Sequence, residues 1–334
     1  MHRTFTLFTI ILFFIATEVS AQNKELRGKA KLLDSNGDGL VQRNEAKGRV
    51  TSNFDLIDCD KNNGLDGTEL YQFFRLKKAC GVEKIKKENI SGDKKSYLAH
   101  LILPERTGPH PVIVISHGRG GISQDYYEWG NKFVKLGFAS IVIDHYSPRG
   151  YETGPRSKRP ETKASFKFRR GDLVSLLKVI KKDDRLDNTR VTLGGWSRGA
   201  GLVMHGISDK NVLKEAKFNH SIKSAILFYP QSTTIFRNFK SKIDISTIFI
   251  TGKEDYIWKA KNHGWKTKLQ AYINPERPFI LKVYKNATHA FDLKVFRKKR
   301  CRKLSDGDHC MQYDEKTHKK SIKDIKEFLM KYAK

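Results

Sequence analysis

Residues 195–199 read Gly195-Trp196-Ser197-Arg198-Gly199. One glycine lies two positions before the serine, and the other lies two positions after it. The preceding segment, residues 190–193, is strand-like, and the residues that follow suit a helix. This context predicts a sharp strand-to-helix turn that exposes the serine hydroxyl above the end of a sheet. Glycines are expected there because side chains next to so tight a turn would clash. On its own the pattern is weak, since an ordinary glycine turn gives the same match.

Two later segments supply the groups that a serine nucleophile needs. Asp255 lies in the segment 252–255 after an apolar strand, and His289 lies in the segment 287–291 ahead of the C-terminal helix. A histidine accepts the serine proton, and a carboxylate holds the imidazole in the required tautomer. The chain order serine, carboxylate, histidine is that of the α/β-hydrolase arrangement. We therefore predict Ser197, Asp255 and His289 as a catalytic triad.

Both partners of the serine have alternatives. Glu254 adjoins Asp255, and Asp144 also ends a predicted strand, so either carboxylate is a competing acid. The distance of Asp255 from Gly252 along the chain favours Asp255. For His289 the alternative is a structural histidine with no part in the chemistry.

A second glycine-rich segment, His117-Gly118-Arg119-Gly120-Gly121, follows another apolar strand. An oxyanion hole needs two main-chain N–H groups, one directly after the nucleophile and one from a loop in this position. We predict the main-chain N–H groups of Arg198 and of the region of Arg119 as these donors, with His117 shaping the loop. A glycine-rich surface turn is the alternative.

The fold class follows from the alternation of strand and helix patterns after residue 91. Residues 111–116 and 139–144 are nearly continuous apolar runs, as expected of strands that are buried on both faces of a parallel sheet. Helical patterns occupy residues 124–136 and the C-terminal region, where Ile322, Ile325 and Leu329 share one face. We predict an α/β fold, with a mostly parallel sheet flanked by helices.

Taken together, residues 95–334 resemble the dienelactone hydrolase family of the α/β-hydrolase superfamily. The matching segments are 117–121, 144–150, 195–199, 252–255, 288–292 and Tyr313-Asp314. The resemblance implies an ester hydrolase. The namesake enzyme uses a cysteine nucleophile and works in the cytosol, whereas Ser197 occupies that position here, so a general serine esterase is favoured.

Two arginines in the matching segments have two interpretations each. Arg149 and Arg198 lie at motif positions that could line the substrate pocket. A guanidinium there would bind a substrate carboxylate through two hydrogen bonds, or it would brace the surrounding loops. Arg149 is accordingly a candidate substrate-binding residue.

Ahead of this domain, residues 34–45 and 58–69 form two acidic loops with the ligand spacing of an EF-hand. The predicted ligands are side-chain oxygens, apart from one main-chain carbonyl in each loop. They are Asp34, Asn36, Asp38, Leu40, Glu45, Asp58, Asp60, Asn62, Gly64 and Glu69. Val41 and Leu65 hold matching positions and are expected to pair. The two loops resemble the small EF-hand pairs of exported bacterial proteins, which implies structural Ca²⁺; two acidic turns without a metal are the alternative.

The N-terminus predicts export. Arg3 precedes an uncharged apolar run at residues 5–16, and small residues suitable for cleavage follow at 19–21. A membrane anchor is the alternative, although the run is shorter than the roughly 20 residues of a spanning helix. The predicted organisation is a signal peptide at 1–21, an EF-hand pair at 22–85 and a hydrolase domain at 86–334. We therefore expect a secreted or periplasmic protein with no transmembrane segment.

Four cysteines suit the oxidising compartment that an exported protein meets. Cys301 and Cys310 bracket a short loop and are predicted to form a disulfide. A pairing of Cys59 with Cys80 is left open, because Cys59 lies inside an acidic loop.

The formal net charge of +28 is concentrated beyond residue 85. Such a surface attracts anionic polymers or anionic surfaces, and the basic run at residues 296–303 is the first place to look for such a partner. A solvated basic surface without a dedicated partner is the alternative. Nucleic acid is not favoured, since basic residues interleaved with aromatics are lacking.

The sequence thus predicts an exported serine hydrolase that cleaves carboxylic esters through an acyl-enzyme on Ser197. Calcium would have a structural role, and no cofactor would be required for the chemistry. A serine peptidase of the same superfamily and a non-catalytic module that binds calcium or polyanions are the alternatives. Intact candidates for all three triad positions favour the enzyme.

Overall fold

The computed structural model describes residues 25–74, 80, 82–86, 97–151, 162–208, 210–218, 222–230, 242–259, 265–304 and 307–333. The predicted signal peptide lies outside these residues. Contacts divide the chain into a unit that ends at Cys80 and a larger unit that begins at Gly81. The predicted boundary at 85/86 is therefore too late, because residues 82–86 form a strand of the second unit.

The first unit consists of short helices and a two-stranded ribbon. Its helices are α1 (Arg49–Ser52), α2 (Phe54–Ile57) and α3 (Gly67–Phe74), and its strands are β1 (Val41–Gln42) and β2 (Gly64–Leu65).

The ribbon joins the two acidic loops of the first unit. Val41 lies directly opposite Leu65 in antiparallel pairing, as the sequence predicts, and both side chains are fully buried. A disulfide links Cys59 to Cys80, and the Cys80 N–H donates to the Leu56 carbonyl at 3.0 Å. The unit therefore has its own small core and a covalent link close to its end.

The second unit is built on an eight-stranded sheet. Its strands are β3 (Val82–Lys86), β4 (Tyr97–Ile102), β5 (His110–Ser116), β6 (Ala139–Ile143), β7 (Leu186–Trp196), β8 (Ile222–Phe228), β9 (Ser246–Gly252) and β10 (Phe279–Tyr284). Their order across the sheet is β10-β9-β8-β7-β5-β6-β4-β3. Neighbouring pairs are parallel except β4 with β6 and β3 with β4. The prediction of a mostly parallel sheet is confirmed.

Helices cover both faces of this sheet. They are α4 (Gln124–Lys135), α5 (Thr162–Lys182), α6 (Arg198–Ser208), α7 (Lys210–Ala216), α8 (Tyr256–Lys259), α9 (Trp265–Tyr272) and α10 (Glu315–Tyr332). Alternate residues of β5 face opposite sides: Val112 and Val114 pack with α5 and α6, while Ile113 and Ile115 pack with α4 and α10. Burial on both faces is the reason that this strand is apolar throughout.

A disulfide-linked hairpin precedes the last helix. Strands β11 (Arg300–Leu304) and β12 (Gly307–Met311) pair antiparallel, with Cys301 opposite Cys310 and the two sulfurs bonded. The predicted Cys301–Cys310 disulfide is present, and so is the Cys59–Cys80 pairing that the sequence leaves open. Among the described helices, none combines the length and the apolar character that crossing a bilayer requires.

Candidate active site

Ser197 occupies a strained turn between β7 and α6, with a φ of 51°. A non-glycine residue in this left-handed region persists only where its surroundings enforce it. A Cβ atom at Gly199 would lie 2.0 Å from the main-chain oxygen of Ser116, and one at Gly195 would lie 2.5 Å from the Ala200 nitrogen. The predicted need for glycine on both sides of the serine is therefore confirmed.

The three predicted triad residues meet at one edge of the sheet. The loops after β7, β9 and β10 carry Ser197, Asp255 and His289, because the carboxyl ends of parallel strands share an edge. His289 Nε2 lies 3.0 Å from Ser197 Oγ, and His289 Nδ1 lies 2.7 Å from Asp255 Oδ2. The other Asp255 oxygen accepts the Ile257 N–H at 2.9 Å. This arrangement can pass a proton from a hydroxyl to an imidazole that a buried carboxylate orients.

Both competing acids are engaged elsewhere. Glu254 pairs with Lys259 and is about half exposed. Asp144 Oδ1 accepts the N–H groups of Tyr146 and Ser147 at 3.0 and 2.9 Å, so it caps the turn after β6. Of the three candidate acids, Asp255 alone contacts the His289 ring.

The loop after β5 lies directly against the nucleophile. A Cβ atom at Gly118 would lie 3.4 Å from the Trp196 oxygen and 3.5 Å from Ser197 Cβ. Arg119 follows and is exposed, and the main chain of Arg198 begins helix α6, whose positive end faces the serine. These positions suit the two oxyanion donors, and that role remains a prediction.

The side chain of Arg198 has a structural setting. It is buried (2% exposed), and burial lowers the pKa of its guanidinium, while the neighbouring Tyr146 hydroxyl acts in the opposite direction. A buried side chain beneath the turn fits the interpretation that Arg198 braces the site.

Sequence reasoning misses Arg169, a fully buried arginine on α5. Its guanidinium donates to the main-chain oxygens of His117 at 2.8 Å and Gly118 at 3.1 Å, and its Nε donates to Ser165 Oγ at 3.1 Å. Arg169 therefore fixes the loop that borders the nucleophile. The sequence does contain an indication: Arg169 lies one helical turn before Leu173, on the buried face of α5. A charged residue is rarely buried at such a position unless it binds a partner.

A second serine, histidine and aspartate lie together beneath the site. Ser116 Oγ is 3.0 Å from His145 Nε2, and His145 Nδ1 is 2.9 Å from Asp172 Oδ2. Burial, aided by Arg169, lowers the pKa of His145 to about 4. Burial works the other way on Asp172, yet hydrogen bonds from His145 and Arg149 bring its pKa down to about 2.

Arg149 is committed to this buried array. It donates to both oxygens of Asp172, at 3.0 and 2.8 Å, and to the main-chain oxygen of His145 at 3.1 Å. Of the two interpretations of Arg149, this geometry favours a structural role that holds the surrounding loops. A guanidinium that is already bound to a buried carboxylate has few donors left for a substrate carboxylate.

Asp292 is a second residue that sequence reasoning passes over, although it lies in the matching segment 288–292. It is buried and accepts the indole N–H of Trp129 at 2.8 Å, that of Trp196 at 2.7 Å and the Tyr229 hydroxyl at 2.5 Å. Burial raises its pKa to about 6, although these three donors favour the ionised form. The Tyr229 ring lies 4.5 Å from the His289 ring, centroid to centroid. Asp292 thus connects residues that border both the nucleophile and the base.

The β11–β12 hairpin touches the catalytic histidine. Met311 on β12 forms a β-bridge with His289, and the His309 ring lies 5.3 Å from the His289 ring. The His309 ring also contacts the Tyr256 ring, with centroids 3.5 Å apart and the ring planes tilted by 32°. The hairpin is therefore one wall of the site, which the sequence does not indicate.

In the N-terminal unit the second acidic loop gathers carboxylates. Oxygens of Asp58, Asp60 and Glu69 lie within 4.8 Å of one another. The buried Oδ1 of Asp58 has no hydrogen-bond partner within the described residues. Asn62 Nδ2 donates to Asp60 at 2.9 Å, and Asn62 Oδ1 accepts the Gly64 N–H at 2.7 Å. Hard oxygen donors with an unsatisfied buried member fit a calcium ion.

The first acidic loop is closed by its own hydrogen bonds. Glu45 accepts the N–H groups of Ser35 at 2.8 Å and Gln42 at 2.8 Å. Asp34 accepts the Gly37 N–H at 2.8 Å, and Asp38 accepts the Leu40 N–H at 2.9 Å. Within the part of the chain that the structure describes, the carboxylates of this loop do not form a group as close as that of the second loop.

The fold and the triad geometry together define a serine hydrolase of the α/β-hydrolase type. The sequence pattern of the dienelactone hydrolase family matches residues 98–333. The chain belongs to this family.

Relatives and solved structures extend the comparison. The chain is 29% identical over 113 residues to an uncharacterized 31.7 kDa protein in the traX-finO intergenic region of Escherichia coli, covering 34% of this chain and 37% of that relative. It therefore spans about a third of that relative's length. Esterase 2 of Thermogutta terrifontis, phosphorylated by paraoxon, has a TM-score of 0.52 at 14% identity, with 75% of this chain and 94% of that chain covered. A dienelactone hydrolase-like promiscuous phosphotriesterase from metagenomic libraries has a TM-score of 0.51 at 13% identity, with 75% and 98% covered. At these identities the likeness concerns the fold alone.

Proposed function

We propose that this protein is an exported serine esterase that hydrolyses carboxylic esters by a two-step acyl transfer. The observation that carries the proposal is the chain of contacts from Ser197 Oγ to His289 at 3.0 Å and from His289 to Asp255 at 2.7 Å. Such contacts are what a nucleophilic hydroxyl needs in order to lose its proton as it attacks.

The first step forms the acyl-enzyme. Ser197 Oγ bonds to the ester carbonyl carbon while His289 Nε2 takes the serine proton, and Asp255 stabilises the imidazolium. The main-chain N–H groups of Arg198 and the Arg119 region are the proposed donors to the oxyanion. As the tetrahedral intermediate collapses, the C–O bond to the alcohol breaks and the alcohol leaves with the proton from His289.

The second step repeats the first with water. His289 removes a proton from a water molecule, whose oxygen attacks the acyl carbon. The ester bond to Ser197 then breaks, the serine regains a proton from His289, and the carboxylic acid leaves.

The Ser197→Ala variant tests this proposal with p-nitrophenyl acetate as substrate. Turnover should fall by at least about 10⁴-fold, since Ala offers no nucleophile. Ser175→Ala, a change of a half-buried serine on α5, is the matched control and should retain turnover. Undiminished turnover in Ser197→Ala would refute the assignment, and cleavage of peptide amides without cleavage of esters would favour the peptidase.

We further propose that the N-terminal unit binds Ca²⁺ in a structural role. The cluster of carboxylates from Asp58, Asp60 and Glu69 supports this, as does Asp58 Oδ1, which has no hydrogen-bond partner among the residues that the structure describes. Asn62 and the Gly64 carbonyl are the further proposed ligands. In the first loop Asp34, Asn36, Asp38, Glu45 and the Leu40 carbonyl remain the proposed set.

Calorimetric titration of CaCl₂ into the full mature chain tests the calcium proposal. We expect heat with a Kd of about 10⁻⁴–10⁻³ M, the range of extracellular sites. Glu69→Gln should weaken or remove part of that heat, whereas Glu25→Gln, which removes an exposed charge outside both loops, should not. No heat from the wild-type chain at millimolar calcium would contradict the proposal.

Export is proposed from the signal-like N-terminus together with the cysteine pairing. All four cysteines are in disulfides, which persist in oxidising compartments. Cell fractionation should find the mature chain in the periplasm or the medium, and recovery in the cytosol with residues 1–21 intact would contradict this.

A further inference from the structure

The β11–β12 hairpin is cationic as well as close to the catalytic histidine. The run that leads into and forms β11 presents six exposed basic side chains: Arg297, Lys298, Lys299, Arg300, Arg302 and Lys303. No ion pair to any of the six is formed within the described residues of the chain. Among the described residues, no carboxylate therefore neutralises these charges by direct contact.

The register of the hairpin separates these cations onto two faces. In an antiparallel pair, directly opposed residues have side chains on the same face. Arg300 is opposite Met311, and Arg302 is opposite His309. Cys301 and its disulfide partner lie on the other face, together with Lys303.

One of the two faces is the active-site face. The His309 side chain contacts the His289 ring, and the main chain of Met311 pairs with that of His289, so the face that carries His309 is the one turned toward the catalytic base. Arg302 shares that face, with its Cα about 5 Å from that of His309. Arg302 is therefore on the hairpin face that carries the His309 ring, whereas Lys303 lies on the opposite face, across from Asp308.

The disulfide fixes this arrangement. Cys301 and Cys310 are a directly opposed pair, so the bond between them prevents the strands from slipping by one residue. Such a slip would move Arg300 and Arg302 to the other face, because side chains alternate along a strand.

We propose that the ester substrate is carried on an anionic polymer, and that the active-site face of this hairpin holds the polymer through Arg300 and Arg302. The inference rests on the proposed esterase function. A row of guanidinium groups suits repeated carboxylates, which accept two hydrogen bonds from each.

Hydrolysis of two polymers tests the inference: O-acetylated polygalacturonate, which is anionic, and O-acetylated xylan, used as the neutral comparison. At low salt kcat/KM should be at least about tenfold higher for the anionic polymer. The preference should shrink strongly at 1 M NaCl, because the Debye length there is only about 3 Å and exposed charges farther apart are screened.

Charge reversal on each face separates a binding face from general attraction. Arg302→Glu should remove most of the preference, measured as the ratio of kcat/KM for the anionic polymer to kcat/KM for the neutral one. Lys303→Glu reverses an adjacent exposed charge on the opposite face and should remove much less of the preference than Arg302→Glu does.

The outcomes are distinguishable. If the wild-type protein did not hydrolyse p-nitrophenyl acetate, the proposed esterase function itself would be refuted. Retained hydrolysis of that small ester without preference for the anionic polymer would overturn the inference alone. An equal loss of preference in Arg302→Glu and Lys303→Glu would also overturn it, since the face would then be irrelevant.

Discussion

The molecule contains two arrays of serine, histidine and aspartate with nearly the same spacing. In one, Ser197, His289 and Asp255 are linked at 3.0 and 2.7 Å. In the other, Ser116, His145 and Asp172 are linked at 3.0 and 2.9 Å. Hydrogen-bonding distance alone therefore does not distinguish a catalytic array from a structural one.

What differs is the surroundings of each hydroxyl. Ser197 is half-buried, lies in the left-handed region and sits at the start of α6. Ser116 is 1% exposed at the end of a regular strand, and an arginine occupies the far side of its aspartate. The first array can meet a substrate, whereas the second holds together β5, the turn after β6 and helix α5.

The largest expected effect is the contrast between replacing Asp255 of the first array and replacing Asp172 of the second. Asp255→Asn should lower kcat by about 10⁴-fold, because an amide cannot hold His289 in the tautomer that accepts the serine proton. Asp172→Asn should lower the free energy of unfolding by about 3–5 kcal/mol, since it leaves a buried arginine contact uncompensated. Steady-state kinetics and urea unfolding on both variants measure this contrast.

The reverse pattern would break the comparison. If Asp172→Asn lost turnover per folded molecule as severely as Asp255→Asn, the buried array would have to take part in the chemistry.

The next effect concerns the arginine that holds the loop beside the nucleophile. Arg169→Met removes the donors to the His117 and Gly118 carbonyls, so the loop should shift relative to Ser197. We expect kcat to fall about 10²-fold with KM changed by less than about threefold, as for a displaced transition-state contact. Arg169→Lys should recover part of that loss.

Arg170→Met is the matched control. Arg170 is the adjacent residue, partly exposed and paired with Glu215 at 2.8 Å, and its loss should leave kcat unchanged. A rise in KM without a fall in kcat for Arg169→Met would contradict a positioning role.

The raised pKa of Asp292 predicts that the free energy of unfolding of the wild type, compared with that of Asp292→Asn, depends on pH. Its folded pKa of about 6 lies above the ordinary value of 3.8, so its contribution is fully present below 3.8 and is lost as the pH rises through 6. Asp292→Asn cannot ionise. Relative to this variant, the wild type should therefore lose about 2 kcal/mol of unfolding free energy between pH 4 and pH 7.

Urea unfolding of the two proteins across that interval provides the measurement. Stability curves that stay parallel from pH 4 to pH 7 would contradict the assignment of the raised pKa to Asp292.

The smallest effect is expected at the serine of the buried array. Ser116→Ala removes one hydrogen bond to His145 and should lower the free energy of unfolding by about 1 kcal/mol, with kcat within about twofold of wild type. A much larger loss of turnover would mean that the two arrays are coupled.

The sequence predicts the central sheet well because its strands are buried on both faces. The strand predicted at 111–116 is observed as His110–Ser116, and the one predicted at 139–144 is observed as Ala139–Ile143. The order of serine, acid and base along the chain also predicts their meeting, since parallel strands deliver all three loops to one edge.

Other features leave no periodic apolar signal. Strand β3 lies at the sheet edge, and three of its five residues are charged. It therefore gives no clear strand signal, and the sequence places all but its last residue in the first unit. Strand β11 has three basic residues among its five, and the contact of the hairpin with the histidine loop, made by Met311 on β12, depends on tertiary packing. Arg169 and Asp292 are charged residues at core positions, and only the structure identifies the carbonyls, indoles and hydroxyl that satisfy them.

Covalent labelling with paraoxon tests the central claim most directly. Attack by an activated serine oxygen on the phosphorus displaces p-nitrophenolate and leaves a diethylphosphoryl group on that serine. Peptide mass spectrometry should find the group on Ser197, and not on Ser116, in the wild-type protein. A label on Ser116, or labelling of Ser197 that is equally fast in His289→Ala, would contradict the account.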